Sequence, residues 1–147
     1  MSGTGSSNIS IGRYALQTYN GAYRSYNVAI GEYAAYTGPG DYNTVVGHNT
    51  LMNINGGYDN CALGANTLRS TEGGYGNAAV GRDALYSNIT GNYNVGIGYQ
   101  SLYGVTGSNN IGIGQASGYD AVASLTTESN RIVIGNNSHT NAYIKVS

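Results

Sequence analysis

Phenylalanine and tryptophan are both missing from this 147-residue chain, and cysteine and proline occur once each. The lone cysteine, Cys61, excludes an intramolecular disulfide framework and any cysteine-based zinc site. Charge is scarce as well. Six Lys and Arg stand against seven Asp and Glu, 9% of residues for a net charge of −1, where about a quarter of residues is usual. A surface of this kind carries no electrostatic footprint for nucleic acid and no polybasic patch for a membrane. No apolar run approaches the roughly 18 residues of a transmembrane helix, so no membrane insertion is expected. The opening "MSGTGSSN" has neither a basic start nor an apolar core and does not read as a secretory signal.

What the chain has instead is 24 glycines, 15 tyrosines and a repeat. Eight rungs align on Gly12, Gly31, Gly47, Gly64, Gly81, Gly98, Gly114 and Gly135, spaced 16 to 21 residues apart. Counting back from each glycine, position −1 is always a branched aliphatic, Ile11 and Ile30 through Ile134. Position −3 is mostly aliphatic too, as in Ile9, Val28, Val95, Ile111 and Ile132. Position −2 is small, with Ala29, Ala62, Ala79, Gly96 and Gly112 among its members. Position −4 is Asn in seven rungs: Asn8, Asn27, Asn43, Asn60, Asn77, Asn94 and Asn110.

Period-two alternation over five residues is a strand signature. The larger aliphatics at −1 and −3 are expected to point into the coil, and the small −2 face to meet a neighbouring chain. A second apolar position at +4 (Leu16, Ala35, Leu51, Leu68, Leu85, Leu102) falls in segments such as "DALYS" and "QSLYG" and reads as a second strand. Between them lie turns rich in Gly and Asn, "TGPGDYN", "NGGYDN" and "EGGYGN", which supply the positive φ of tight corners.

Each repeat is then one coil of an all-β parallel β-solenoid, or β-roll. About eight coils of 16–20 residues, stacked at about 4.8 Å, span roughly 34 Å. Identical Asn residues in register can bond up and down such a stack, because an amide both donates and accepts. One coil encloses too little apolar volume to stand alone comfortably, and a homotrimer is expected. Residues 1–7 read as a leader, 8–120 as the repeat solenoid and 121–147 as a C-terminal cap or junction.

The candidate binding residues are Tyr26, Tyr42, Tyr58, Tyr75 and Tyr93, one or two positions before the Asn in five consecutive rungs. Equivalent positions stack in a solenoid, so these form either a seal over the turns or an aromatic platform for sugar rings; tyrosine suits both. A looser set, Tyr36, Tyr86 and Tyr103, follows the +4 position, and Tyr14, Tyr33 and Tyr99 follow the glycine. Asp41 and Asp59, in turns of adjacent rungs, could approach within two coil spacings, without a cleft-forming insertion around them. They read as solvated turn residues, so no catalytic pair is assigned and the chain is expected not to be an enzyme. His48 and His139 lie too far apart to share a metal within one chain, and no cofactor is expected.

The repeats "YNVAIGEYA", "GNAAVGRDAL" and "YNVGIGYQSL" resemble the "NxAIG" head repeats of trimeric autotransporter adhesins of the YadA type, which are trimers of left-handed parallel β-rolls. Over residues 8–120 the chain also resembles phage tail fibres and tailspikes, in which "TGxYNxxIGxxAL" arrays occur. The segment "SNRIVIGNNSHTNAYIKVS" is similar to the stretch preceding the endosialidase-type intramolecular chaperone of tail fibres. That family's self-cleavage leaves a C-terminal serine, so the resemblance implies a cleavage site at Ser147 and a chaperone domain acting as partner during assembly. It further implies a trimeric fibre segment on the virion, either an adhesin for a bacterial surface glycan or outer-membrane receptor or a purely structural shaft. An autotransporter head is the alternative.

Overall fold

The computed structural model describes residues 7–17, 24–38, 40–119 and 125–138. Ten strands are β1 Ile9–Ile11, β2 Val28–Ile30, β3 Thr44–Val46, β4 Asn53–Ile54, β5 Cys61–Leu63, β6 Ser70–Thr71, β7 Ala78–Val80, β8 Val95–Ile97, β9 Ile111–Ile113 and β10 Ile132–Ile134. Eight of them form one parallel sheet in the order β1-β2-β3-β5-β7-β8-β9-β10, and β4 pairs with β6 in a second, two-stranded sheet. Each rung pairs −3 with −3, −2 with −2 and −1 with −1, as in Cys61↔Ala78, Ala62↔Ala79 and Leu63↔Val80. The chain is therefore an all-β parallel solenoid, with one strand of the large sheet per repeat.

Two expectations are corrected. The −1 and −3 aliphatics do not point into the coil. Ile9, Ile11, Leu63, Val80, Ile97, Ile113, Ile132 and Ile134 are 39–69% exposed on the outer face, whereas Ala29, Val45, Ala62 and Ala79 at −2 are fully or almost fully buried. The reason is volume. The interior is already filled by the buried +4 residues Leu51, Leu68, Leu85 and Leu102 and by the Asn column. A Cβ added to Gly96 would lie 3.1 Å from Leu85 Cγ, and one added to Gly112 would lie 2.6 Å from Leu102 Cγ. Only a small −2 side chain fits beneath each Leu, so the large ones face out.

The +4 position itself is not in a strand; a second strand follows it in two rungs, as β4 and β6 at +6 and +7. Leu51, Leu68, Leu85 and Leu102 have φ near +50°, as do +2 residues such as Asn49, Asn66 and Gln100. This left-handed conformation is disfavoured for a side chain like Leu. It persists here because it turns the amides along the stacking axis. Leu51 N–H donates to Thr67 O at 2.9 Å, Leu68 N–H to Ala84 O at 3.0 Å and Leu85 N–H to Ser101 O at 2.9 Å, all in the next coil. The turn thus satisfies its backbone by bonding between coils, as a strand would.

The glycine after each strand closes the coil against its neighbour. Gly98 has φ +129°, and a Cβ there would sit 2.5 Å from Gly114 O. Gly98→Ala is expected to destabilise the fold by about 3 kcal/mol or more, because it combines a strained backbone with a clash that only coil separation relieves. A denaturation midpoint equal to the parent's would refute this.

Candidate functional site

The Asn column is the chain's internal spine. Asn27, Asn43, Asn60, Asn77, Asn94 and Asn110 are all buried. Each side-chain oxygen accepts the backbone N–H of the −4 residue in the next rung, from Asn27 N–H to Asn8 Oδ1 at 2.9 Å through Arg131 N–H to Asn110 Oδ1 at 3.0 Å. Each amide nitrogen in the middle rungs donates to a glycine carbonyl of the next coil, as Asn60 Nδ2 does to Gly74 O at 2.9 Å. The stacking expected of these residues is present, and it is architectural: no ligand reaches a buried column.

Just before the Asn, the chain turns a wet corner that carries the five expected tyrosines. Tyr26, Tyr42, Tyr58 and Tyr93 are exposed. They do not form one ladder. Tyr26 and Tyr42, both at −5, stack with centroids 4.9 Å apart and planes 3° from parallel. Tyr58 and Tyr75, both at −6, stack at 4.8 Å and 4°. Tyr93 returns to −5 and meets Tyr75 edge-on at 5.1 Å. A hydrogen bond shared with Tyr75, followed by the charge of that neighbour, holds the Tyr93 phenol above its ordinary pKa.

Between the two stacks, Tyr and Asp exchange places. The third rung reads Asp41-Tyr42-Asn43 and the fourth Tyr58-Asp59-Asn60. The break leaves an open groove of about 390 Å³ lined by Gly40, Asp41, Tyr42, Gly56, Tyr58 and Asp59. Both acids that the sequence placed in plain solvated turns therefore lie in one concavity between two aromatic stacks. The groove was missed because the tyrosines were counted as one column. The inversion of "DYN" to "YDN" is the signal that marks it.

Other tyrosines form separate clusters. Tyr86 and Tyr103 stack at 4.8 Å, Tyr103 contacts Tyr119 at 4.8 Å, and Arg69 Nη1 donates to the Tyr86 hydroxyl. Burial raises the Tyr103 pKa. Tyr14 stacks on Tyr33 at 5.0 Å, and Tyr36 meets Tyr33 edge-on at 5.1 Å.

The outer sheet face is the second unusual surface. Of its sixteen −1 and −3 positions, only Thr44 is polar. The strip carries no charge, and the positions just past the glycine rim it with Arg13, Glu32, His48 and Arg82. Cys61 sits on it, exposed and unpaired. Among the described residues no group of three or more His, Cys, Asp or Glu gathers as metal ligands, and no helix is long and apolar enough to cross a membrane. His139 and Ser147 lie outside the described residues. No family model matches the chain, nor does any curated protein or solved structure.

Proposed function

We propose that this chain is a trimeric segment of a phage tail fibre, carried on the virion, that attaches to a bacterial surface glycan through its tyrosine corner. The observation that carries the reading is how the surface is divided. One face is an uncharged aliphatic strip running through all eight rungs, with most of its large side chains exposed. The corner preceding it presents stacked, water-facing phenols.

An apolar strip of this length with a polar rim has the anatomy of a protein interface. A second and third copy of the same chain are its natural cover, because identical solenoids match it rung for rung. Three strips meeting on an axis leave no sheet face in water. The phenols, by contrast, bring large rigid area and a hydroxyl, which suits the apolar face and ring hydroxyls of a sugar. Repetition along the fibre and around its axis converts weak single contacts into firm attachment. Adhesion, not catalysis, is the activity assigned. The tail-fibre setting rests on the repeat resemblance, which also implies a chaperone released at Ser147.

The test is binding of the labelled chain to bacterial cells and to their isolated surface polysaccharides. Tyr58→Ala combined with Tyr75→Ala is expected to abolish the signal while the oligomer stays intact. Absence of binding to any envelope that the whole fibre recognises would make the segment a shaft.

A further inference from the structure

The groove at the tyrosine break has a polar inventory that no other part of the corner shares among the described residues. At position −6, the backbone N–H of each rung is met by the −6 side chain of the next wherever that residue is Asp, Asn or Ser. Ser25 N–H donates to Asp41 Oδ1 at 2.8 Å, Tyr75 N–H to Asn92 Oδ1 at 3.0 Å, Asn92 N–H to Ser108 Oγ at 3.0 Å and Ser108 N–H to Ser129 Oγ at 2.9 Å. For Asp41 and Tyr58 the next −6 residue is a tyrosine, whose ring offers no acceptor at that depth. Their amides have no hydrogen-bond partner among the described residues. Both residues line the groove, but only the Asp41 amide faces across it to the fourth rung; the Tyr58 amide faces the fifth, whose Tyr75 is outside the lining. The Asp59 carboxylate, also in the lining, likewise has no hydrogen-bond partner among the described residues.

The groove therefore joins one backbone donor, the Asp41 amide facing the fourth rung, with the Asp59 carboxylate, the Asp41 carboxylate that already accepts from Ser25 N–H, and the flanks of two phenol rings. We infer that it is a subsite for one uncharged pyranose of a bacterial surface polysaccharide; the inference rests on the adhesive reading above. The choice of an uncharged sugar follows from the mixture. An ammonium group satisfies the carboxylates but cannot accept from the Asp41 amide. A sugar carboxylate accepts from that amide but is repelled by Asp41 and Asp59. A hydroxyl does both, donating to a carboxylate in a charge-assisted bond while accepting from an N–H. The C–H face of the same ring packs against Tyr42 or Tyr58, as apolar sugar faces do on aromatic platforms.

The experiment compares binding of the full chain to neutral, acidic and amino polysaccharides isolated from bacterial surfaces, with three variants read in parallel. The parent is expected to prefer a neutral polymer. Asp59→Asn, which keeps the shape and removes the charge, is expected to weaken binding roughly tenfold. The exchange Tyr58→Asp with Asp59→Tyr turns the fourth rung into the third's order, extends the Tyr26–Tyr42 stack and gives the Asp41 amide its acceptor. It is expected to abolish binding in a chain that folds and assembles like the parent.

Preference for an acidic or amino polymer overturns the assignment of ligand. Binding that survives the exchange but falls with Tyr93→Ala overturns the groove and leaves the tyrosine corner as the receptor site. A parent that binds no cell and no polysaccharide overturns the adhesive reading itself, and this inference with it.

Discussion

Asn60→Ala is expected to lower the stability of the chain by about 3–5 kcal/mol, a large share of what holds a domain of this size together. The side chain makes four bonds. Its nitrogen donates to Asn43 Oδ1 at 3.1 Å and to Gly74 O at 2.9 Å, and its oxygen accepts Asn77 N–H at 3.0 Å and Asn77 Nδ2 at 3.1 Å. Removing it strands the Asn77 N–H and the Gly74 carbonyl in a site where Asn60 is 1% exposed. Each buried orphan costs about 1–3 kcal/mol, and the void left by the amide adds to that. Asp at the same place is no remedy, because it keeps the acceptor, loses the donor and buries a charge. The control is Asn92→Ala on the half-buried corner, where water can replace the one bond from Tyr75 and the loss is expected to stay below about 1 kcal/mol. Denaturant unfolding of both variants measures the contrast. Equal midpoints would mean that the column contributes no more than a surface contact.

The second large effect is on assembly. Leu63→Asp combined with Ile97→Asp is expected to yield a folded monomer of 15.2 kDa, where the proposed trimer of the parent would sediment at three times that mass. Leu63 and Ile97 are 49% and 42% exposed in the single chain, so the substitutions disturb little inside the coil. In a trimer they set six carboxylates around an axis lined with aliphatics. Breaking a dry interface with unpaired charge costs several kcal/mol per site, more than such an interface can absorb. Cys61 reports the same event independently. Its thiol is exposed in the single chain and on the same strip, so it is expected to resist maleimide in the parent assembly and to react at once in the double variant. A parent that is already monomeric, with a freely reactive Cys61, would remove the trimer from the proposal.

The all-β class, the rung positions and the parallel register could all be read from the glycine spacing, since each −1 aliphatic of the large sheet pairs with the next one as the alignment places them. Inside and outside were read in reverse, although the sequence held the answer. Asn at −4 has the parity of −2, not of −1 and −3. An amide column shielded from water must therefore share its face with the small residues, which forces the aliphatics out. Hydrophobicity alone favoured the other solution because it ignores volume: the +4 leucines leave room only for Ala, Gly or Val. The +4 position was misread for a different reason. Left-handed leucines contradict local preference, and only the coil-to-coil bonds they make explain them. At the corner, the one-residue inversion of Tyr and Asp was visible as letters. Its consequence, an amide without an acceptor facing a groove, appears only when adjacent rungs are superposed in space.

The hydrogen bonds of this fold run between coils, and that gives the molecule a mechanical character. Tension applied along the axis loads all the bonds of one coil-to-coil junction in parallel, while the seven junctions implied by eight rungs act in series. Such a rod bears load up to the yield point of its weakest junction and then parts there, without stretching gradually. The amides of Asp41 and Tyr58 would each reach forward to the next coil, and each is one bond short. Of these two junctions the groove spans the one between the third and fourth rungs, and a ligand seated there would act as a splint across it.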